Sequence, residues 1–333
     1  MTKARENSDY TGLAADIVAG DTAARAGRKN LIINGGFDVS QRGDYTSATS
    51  MPDGYYLDRW VGDVHTITAN IQHLTAAYGG GTIKTQKIVA TSSATGILQT
   101  FQHVEDFAAL AGREMTLSAR VKSNATGYRL QIYDGVSFID SASGIHTGGG
   151  GWEALTLTFT PSTSSTSLEI RVTNYNAGLT AITSGDYIEV ANVQLELGSV
   201  ATDFEHRSYG EILADCQRYF ERLEYKSGQM IVAHQHNDTS ALLSVPHSEK
   251  RSTPSVTLPT AAVGNGTANA VSLLTAGGSY RSSGGAVTAD KGTKNNFRIV
   301  FTSWPSSGSA GDSTWCYFMS NTGTSQIDID AEL

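Results

Sequence analysis

Ala310-Gly311-Asp312-Ser313 sets a serine in the Gly-Asp-Ser context that some serine hydrolases use for their nucleophile. A serine hydroxyl attacks only when a base, normally a histidine, takes its proton and donors wait for the oxyanion. Twenty residues follow Ser313 and none is a histidine, so the segment reads as a Gly/Ser turn. His234-Gln235-His236 is a second candidate, because alternate residues of a strand project to one side and both imidazoles would face one metal ion. No third protein ligand is specified nearby, and a polar strand edge is the simpler reading. Repetition of the pair about a symmetry axis would complete a metal site. Glycoside hydrolysis needs two carboxylates facing one bond. Asp134, Asp140, Asp186 and Glu189 are available, yet they stand in no recognisable motif, and the chain has no solenoid repeat. No catalytic residue is assigned.

Sugar binding needs less: exposed aromatic rings to stack on pyranose faces, with amides, carboxylates or arginine beside them for the hydroxyls. Tyr55, Tyr56 and Trp60 lie close together in sequence, Tyr128, Arg129 and Tyr133 lie on one strand-like run, and Trp152 follows a glycine loop. Trp60 reads as core, and Tyr128 alternates with Leu130 and Ile132 on an apolar face. Tyr133 and Trp152 are therefore the expected glycan contacts in the first part of the chain. Tyr280 and Trp304, in Gly/Ser/Pro loops, are those expected in the last part, where they could equally anchor a neighbouring subunit.

The elements that would carry these rings are strands. Met115, Leu117, Ala119 and Val121 alternate, as do Tyr128, Leu130 and Ile132, then Leu155, Leu157 and Phe159, then Leu168, Ile170 and Val172. Leu31 to Ile33 and Phe37 to Val39 are predicted as strands flanking Asn34-Gly35-Gly36, whose glycines accept positive φ. From Tyr187 the pattern alternates and then shifts to Val193, Leu195 and Leu197, which predicts a bulge or a change of facing neighbour. Ser208 and Glu211 form a capping box. The stripe Ile212, Leu213, Cys216, Tyr219, Phe220 and Leu223 predicts a helix over 208–224. Beyond it, pairs and triplets such as Met230 with Val232, Phe297 with Ile299 and Phe301, and Ile327 with Ile329 and Ala331 keep period two. The Gly/Ser-rich stretches 264–266, 277–285 and 306–311 read as surface loops. The expected fold is all-β: a jelly-roll sandwich over 30–207, a linking helix over 208–224 and a smaller β domain over 225–333. The thin core of that last domain predicts self-association. Residues 1–29 have too few large apolar side chains for a core of their own.

Composition agrees with this class and excludes others. Charged residues are 17% of the 333, and glycines number 35, the balance of a turn-rich β protein. A formal net charge of -8 argues against nucleic acid, which calls for a basic surface. No run of about 18 apolar residues is present and the start lacks a signal-peptide pattern, so the expectation is a chain made in the cytoplasm without membrane insertion. Cys216 and Cys316 read as buried thiols.

VQLELGSVATDFEHRSYGEILADCQRYF, from Val193 to Phe220, resembles the junction in phage and prophage tail-fibre proteins where a carbohydrate-binding-module-like jelly roll ends and a helix leads into a C-terminal β domain. NLIINGGFDVSQRG, from Asn30 to Gly43, with the DRW of Asp58 to Trp60, resembles the start of that module, and the closing IDIDAEL resembles the end of such chains. The resemblance implies a virion adhesion or structural protein that is not an enzyme. It also implies an N-terminal segment attaching to other tail or baseplate proteins, a homotrimer, and host surface polysaccharide as the partner. A structural calcium is implied too, with Asp38, Asp58 and Asp203 near the ends of the module; no other cofactor is expected. A virion decoration protein that binds only other virion proteins and a polysaccharide depolymerase are the alternatives.

Overall fold

The structure, a computed structural model, describes residues 28–51, 54–105, 107–176, 178–237, 240–258, 260–261, 270–275, 286–290, 292–302, 313–319 and 324–332. The chain divides into two compact units, Met1–Ile212 and Leu213–Leu333. The first holds β1 (Thr49–Ser50), β2 (Gly54–Leu57), β3 (Trp60–His65), β4 (Ala69–Tyr78), β5 (Gly81–Ala90), β6 (Ala94–His103), β7 (Met115–Ser123), β8 (Arg129–Tyr133), β9 (Phe138–Ile145), β10 (Trp152–Phe159), β11 (Glu169–Thr173), β12 (Thr180–Ile182) and β13 (Tyr187–Leu197). They pair antiparallel into two sheets, β1-β4-β5-β13-β7-β10 and β2-β3-β6-β11-β8-β9, with β12 beside β6. Sequence-distant neighbours, such as β13 between β5 and β7, make this a jelly-roll sandwich.

Period two fills the space between the sheets. Leu117, Val121, Ile188 and Val190 face Leu98, Leu130, Ile132, Ile170 and Val172 in one buried cluster that also takes Trp60 and Phe37. Burying side chains of this size contributes about 1.5–3 kcal/mol each. The β13 register shifts between Ala191 and Gln194, and Asn192 has φ 50; of the two readings of the apolar phase shift, the strand carries a bulge. Asp134 caps the β8–β9 turn, accepting from the amides of Val136 and Ser137 at 2.9 and 2.8 Å.

The first segment departs from expectation. Residues 31–33 and 37–39 are not strands but an irregular run held against β13. Asn30 Nδ2 donates to the Val193 carbonyl, Asn30 Oδ1 accepts from the amides of Ile32 and Leu195, and the Val193 amide donates to the Gly35 carbonyl. Positive φ falls on Asn34 and Phe37, at 57 and 58, rather than on the glycines. Glycine is required at 35 for proximity: a Cβ there would stand 2.1 Å from the Val193 carbonyl oxygen.

Helix α1 (Tyr209–Gln217) opens on the predicted capping box, with the Ser208 amide donating to Glu211 Oε2 at 3.1 Å and the Glu211 amide to Ser208 Oγ at 3.4 Å. It ends earlier than the stripe predicts, because Phe220 begins a strand. The run FERLEY satisfies period two as well as 3.6, and seven paired residues along a neighbouring strand decide for the sheet.

The second unit contains β14 (Phe220–Lys226), β15 (Met230–Asn237), β16 (Ser240–Pro246), β17 (Ser255–Thr257), β18 (Thr260–Ala261), β19 (Ala270–Thr275), β20 (Ala286–Asp290), β21 (Asn296–Thr302), β22 (Ser313–Met319) and β23 (Thr324–Asp330). A three-stranded sheet β14-β23-β17 packs on β18-β19-β22-β15-β16-β21-β20 through Ala233, Leu243, Phe297, Ile299, Ile327 and Ile329. On β15 the inward residue is Ala233, so Met230 and Val232 lie on the outer face, 48% and 42% exposed. Lys250 is buried, with its ammonium on Glu221 Oε2 at 2.7 Å and on the Gln217 carbonyl at 2.6 Å. Cys216 is a buried thiol. The three Gly/Ser-rich stretches and residues 1–27 of the expected attachment segment lie outside the described residues.

Candidate functional site

The even-numbered residues of β6 and β8 and the same phase of β11 fill the core, so the odd-numbered ones share the outer face of the second sheet. Register sets them in three rows. Asp63, Gln99, Thr173 and Arg129 lie abreast across β3, β6, β11 and β8. Phe101, Arg171, Gln131 and Asp140 form the next row, and His103, Glu169, Tyr133 and Phe138 the third, both crossing β6, β11, β8 and β9. Residues directly opposite in antiparallel strands stand close enough for their side chains to touch.

Arg171 organises the aromatic end. Its guanidinium lies 5.3, 5.5 and 5.2 Å from the ring centroids of Phe101, Tyr133 and Phe138, within cation–π range. It is held by Glu169, with Nε 3.0 Å from Oε2. Tyr133 and Phe138 are tilted neighbours at 4.9 Å, and Tyr175 stands 5.2 Å beyond Phe138. Phe138 is 45% exposed, so the group offers a ring face to solvent. His103 meets Phe101 edge-on at 5.4 Å. Burial holds its pKa below the ordinary histidine value; Glu169 opposes this, and Arg59 and Arg171 add to it.

Polar groups flank the rings. Gln99 Nε2 donates to Asp63 Oδ2 at 2.6 Å, and Gln131 Nε2 to Asp140 Oδ2 at 3.3 Å. Arg129 Nη1 reaches Asp140 Oδ2 at 3.2 Å and Asn176 Oδ1 at 3.0 Å. Each glutamine keeps its side-chain oxygen buried with no hydrogen-bond partner among the described residues. Such an orphan costs about 1–3 kcal/mol. Stacking faces beside an exposed carboxylate can hold a sugar.

Of the expected contacts, Tyr133 belongs to this platform. Trp152 stands on β10 of the other sheet, edge-on to Tyr78 at 6.1 Å with the Lys122 ammonium 5.8 Å from its ring. The fold does not bring the two together. Tyr280 and Trp304 lie outside the described residues. Sequence reasoning misses Phe138, Tyr175, Arg171, Gln99 and Gln131. The alternation that marks Leu130 and Ile132 as core does mark Gln131 as outward, but one sequence does not say that β6, β11, β8 and β9 are neighbours.

The four carboxylates weighed for glycoside hydrolysis are all engaged locally. Asp134 caps its turn and accepts from Ser162 and Ser165; burial opposes ionisation, but these bonds outweigh it and lower the pKa. Asp140 serves Arg129, and Asp186 accepts from the Thr183 amide. Glu189, on β13, accepts from Thr85 Oγ1 on the neighbouring β5 of the same sheet. His234 and His236 are both exposed on β15, and Ser313 opens β22 opposite His234 in register. Asp38, Asp58 and Asp203 are the carboxylates weighed for calcium. Both Asp58 oxygens take bonds from Gln41 at 2.6 Å, and no three His, Cys, Asp or Glu side chains gather among the described residues.

No family model matches the chain, and no curated protein matches it. Among solved structures it is similar to the CBM22-1–GH10 modules of Clostridium thermocellum endo-1,4-β-D-xylanase 10B complexed with xylohexaose. That match has 15% identity and TM-score 0.31, covering 49% of this chain and 30% of that one. It is similar to the CBM22-1 xylan-binding domain of Paenibacillus barcinonensis Xyn10C, at 12% identity and TM-score 0.31, covering 49% of this chain and 100% of that one. It is also similar to the enzymatically active domain of bacteriophage CBA120 tailspike protein 4, at 16% identity and TM-score 0.33, covering 51% of this chain and 21% of that one. The chain thus spans less than a third of the xylanase and tailspike structures.

Proposed function

We propose that this protein binds glycans without turning them over, through the outer face of the second sheet of its jelly roll, as a receptor-binding component of a phage tail fibre. One observation carries the glycan reading. The rings of Tyr133, Phe138 and Tyr175 share a face with the Asp140 carboxylate, whose side chain is 34% exposed. Rings supply stacking for the C–H faces of a sugar, and the carboxylate accepts its hydroxyl protons. The tail-fibre setting rests on the likeness of 193–220, 30–43 and the closing residues to such chains.

Adhesion by a fibre works through number. Several weak sites on one symmetric particle raise the effective concentration after the first contact, so no single site has to be tight. Self-association is supported by the second unit, whose β15 leaves Met230 and Val232 on an outer sheet face. The test is binding and turnover together: wild-type protein on immobilised bacterial surface polysaccharides, with reducing ends assayed in the same wells. Retention without reducing-end release supports the reading. Release identifies a depolymerase, and neither retention nor release leaves a structural virion role.

A further inference from the structure

At the Arg129 end of the platform a cavity of about 290 Å3 opens between the β7–β8 turn, the segment after β11 and the turn before β13. This is the low end of the size range of small-molecule pockets, suited to one or two sugar rings rather than a chain. Ile182 and Ala181 supply apolar lining, and Tyr128, Arg129, Asn176 and Asp186 the polar groups. Arg129 is common to platform and cavity, since its guanidinium bridges Asp140 on the sheet and Asn176 at the cavity.

Bonding capacity is left open here. Tyr128 is 2% exposed, yet its hydroxyl makes no hydrogen bond among the described residues. Burial raises its pKa, and the nearby Asp186 carboxylate adds to that. Asp186 spends Oδ2 on the Thr183 amide at 2.8 Å, while Oδ1 has no partner among the described residues. Asn176 accepts from Arg129 through Oδ1, and its amide NH2 has no partner in the same set. An acceptor, a donor and a phenol that does both match adjacent hydroxyls, each of which donates and accepts. An anionic ligand fits poorly, because Asp186 repels it and Arg129 is already committed to Asp140.

We propose that the cavity is a single-residue subsite that takes a terminal or branching sugar of the glycan lying on the platform, with Tyr128, Asn176 and Asp186 reading neighbouring hydroxyls. This rests on the glycan reading above and adds that recognition is end-on or at a branch, not along a uniform chain.

The test is saturation-transfer NMR on the full chain with free glucose, galactose, mannose, rhamnose, xylose, N-acetylglucosamine and N-acetylgalactosamine, run beside xylohexaose and β-1,4-galactotriose. Wild type is compared with Tyr128→Phe, which removes one hydroxyl and keeps the ring, and with Phe138→Ala on the platform. The expected result is transfer to at least one free sugar in wild type, with affinity about tenfold lower in Tyr128→Phe, the size of one buried hydrogen bond. Oligosaccharide binding that Phe138→Ala abolishes, with no free sugar bound, would overturn the subsite and leave the platform standing. Free-sugar binding unchanged by Tyr128→Phe would also overturn it. Binding of no saccharide at all would remove both.

Discussion

Gly35 and Val193 touch through their backbones: the Val193 amide donates to the Gly35 carbonyl at 2.9 Å, and a Cβ on Gly35 would lie 2.1 Å from the Val193 oxygen. No side chain fits without moving β13, which sits in the middle of the first sheet. Gly35→Ala should therefore destabilise the first unit by about 2–4 kcal/mol, read as a lower denaturant midpoint. Unchanged stability would mean that this joint is looser than the geometry shows.

The same joint shows what was legible in the sequence. The segments 30–43 and 193–220 can each be read as the start and end of a module, and the fold brings them together through Asn30, Gly35 and Val193. Alternation located the core strands β7, β8, β10 and β11 and the phase shift in β13, because each has one face in the apolar cluster. It failed where two periods coincide, at Phe220 to Tyr225. It failed also at residues 31–39, where side-chain-to-backbone bonds replace a ladder. Tyr133 was readable as an exposed ring, but its partners come from β9, β11 and the segment after it. Their adjacency is a property of sheet order, which no local pattern records.

Lys250 and Glu221 form a buried ion pair at 2.7 Å. Removing one partner leaves a buried charge without compensation, so Lys250→Ala should cost the second unit about 3–5 kcal/mol. Replacing both residues, as Lys250→Met with Glu221→Leu, should cost less than the single change. A chemical denaturation series on the full chain checks this, and equal losses for single and double variants would contradict it.

Acid should weaken the fold through its histidines. Burial, the largest cause in each case, lowers the pKa values of His73, His103 and His247 below the ordinary value of 6.5. The unfolded chain then binds more protons between the folded pKa and 6.5, so this contribution is complete above about pH 6.5 and is lost as pH falls through that window. Asp38 and Asp58, raised by burial, act with the opposite sign, in a window that opens at the ordinary value of 3.8 and extends upward. Thermal melts should show Tm falling from about pH 7.5 to about pH 5.5. A flat or rising Tm would show that these histidines keep ordinary pKa values.

Removing Ser208 should loosen α1 without unfolding either unit. Its hydroxyl and amide both engage Glu211, and loss of an N-cap costs about 1 kcal/mol. Ser208→Ala should therefore raise amide exchange in 209–217 while leaving β7 and β13 protected. Exchange that rises equally throughout would point to a global role instead.

The platform of Tyr133, Phe138, Tyr175 and Asp140 is the central claim, and a glycan array of bacterial surface polysaccharides, probed with the full chain, tests it most directly. Wild type, Phe138→Ala and the control Val200→Ser, a change at a residue 69% exposed, should be compared on one array. Wild type and Val200→Ser should retain the same glycans, and Phe138→Ala should bind them at least about tenfold more weakly. Retention of those glycans by Phe138→Ala at wild-type strength would contradict the claim.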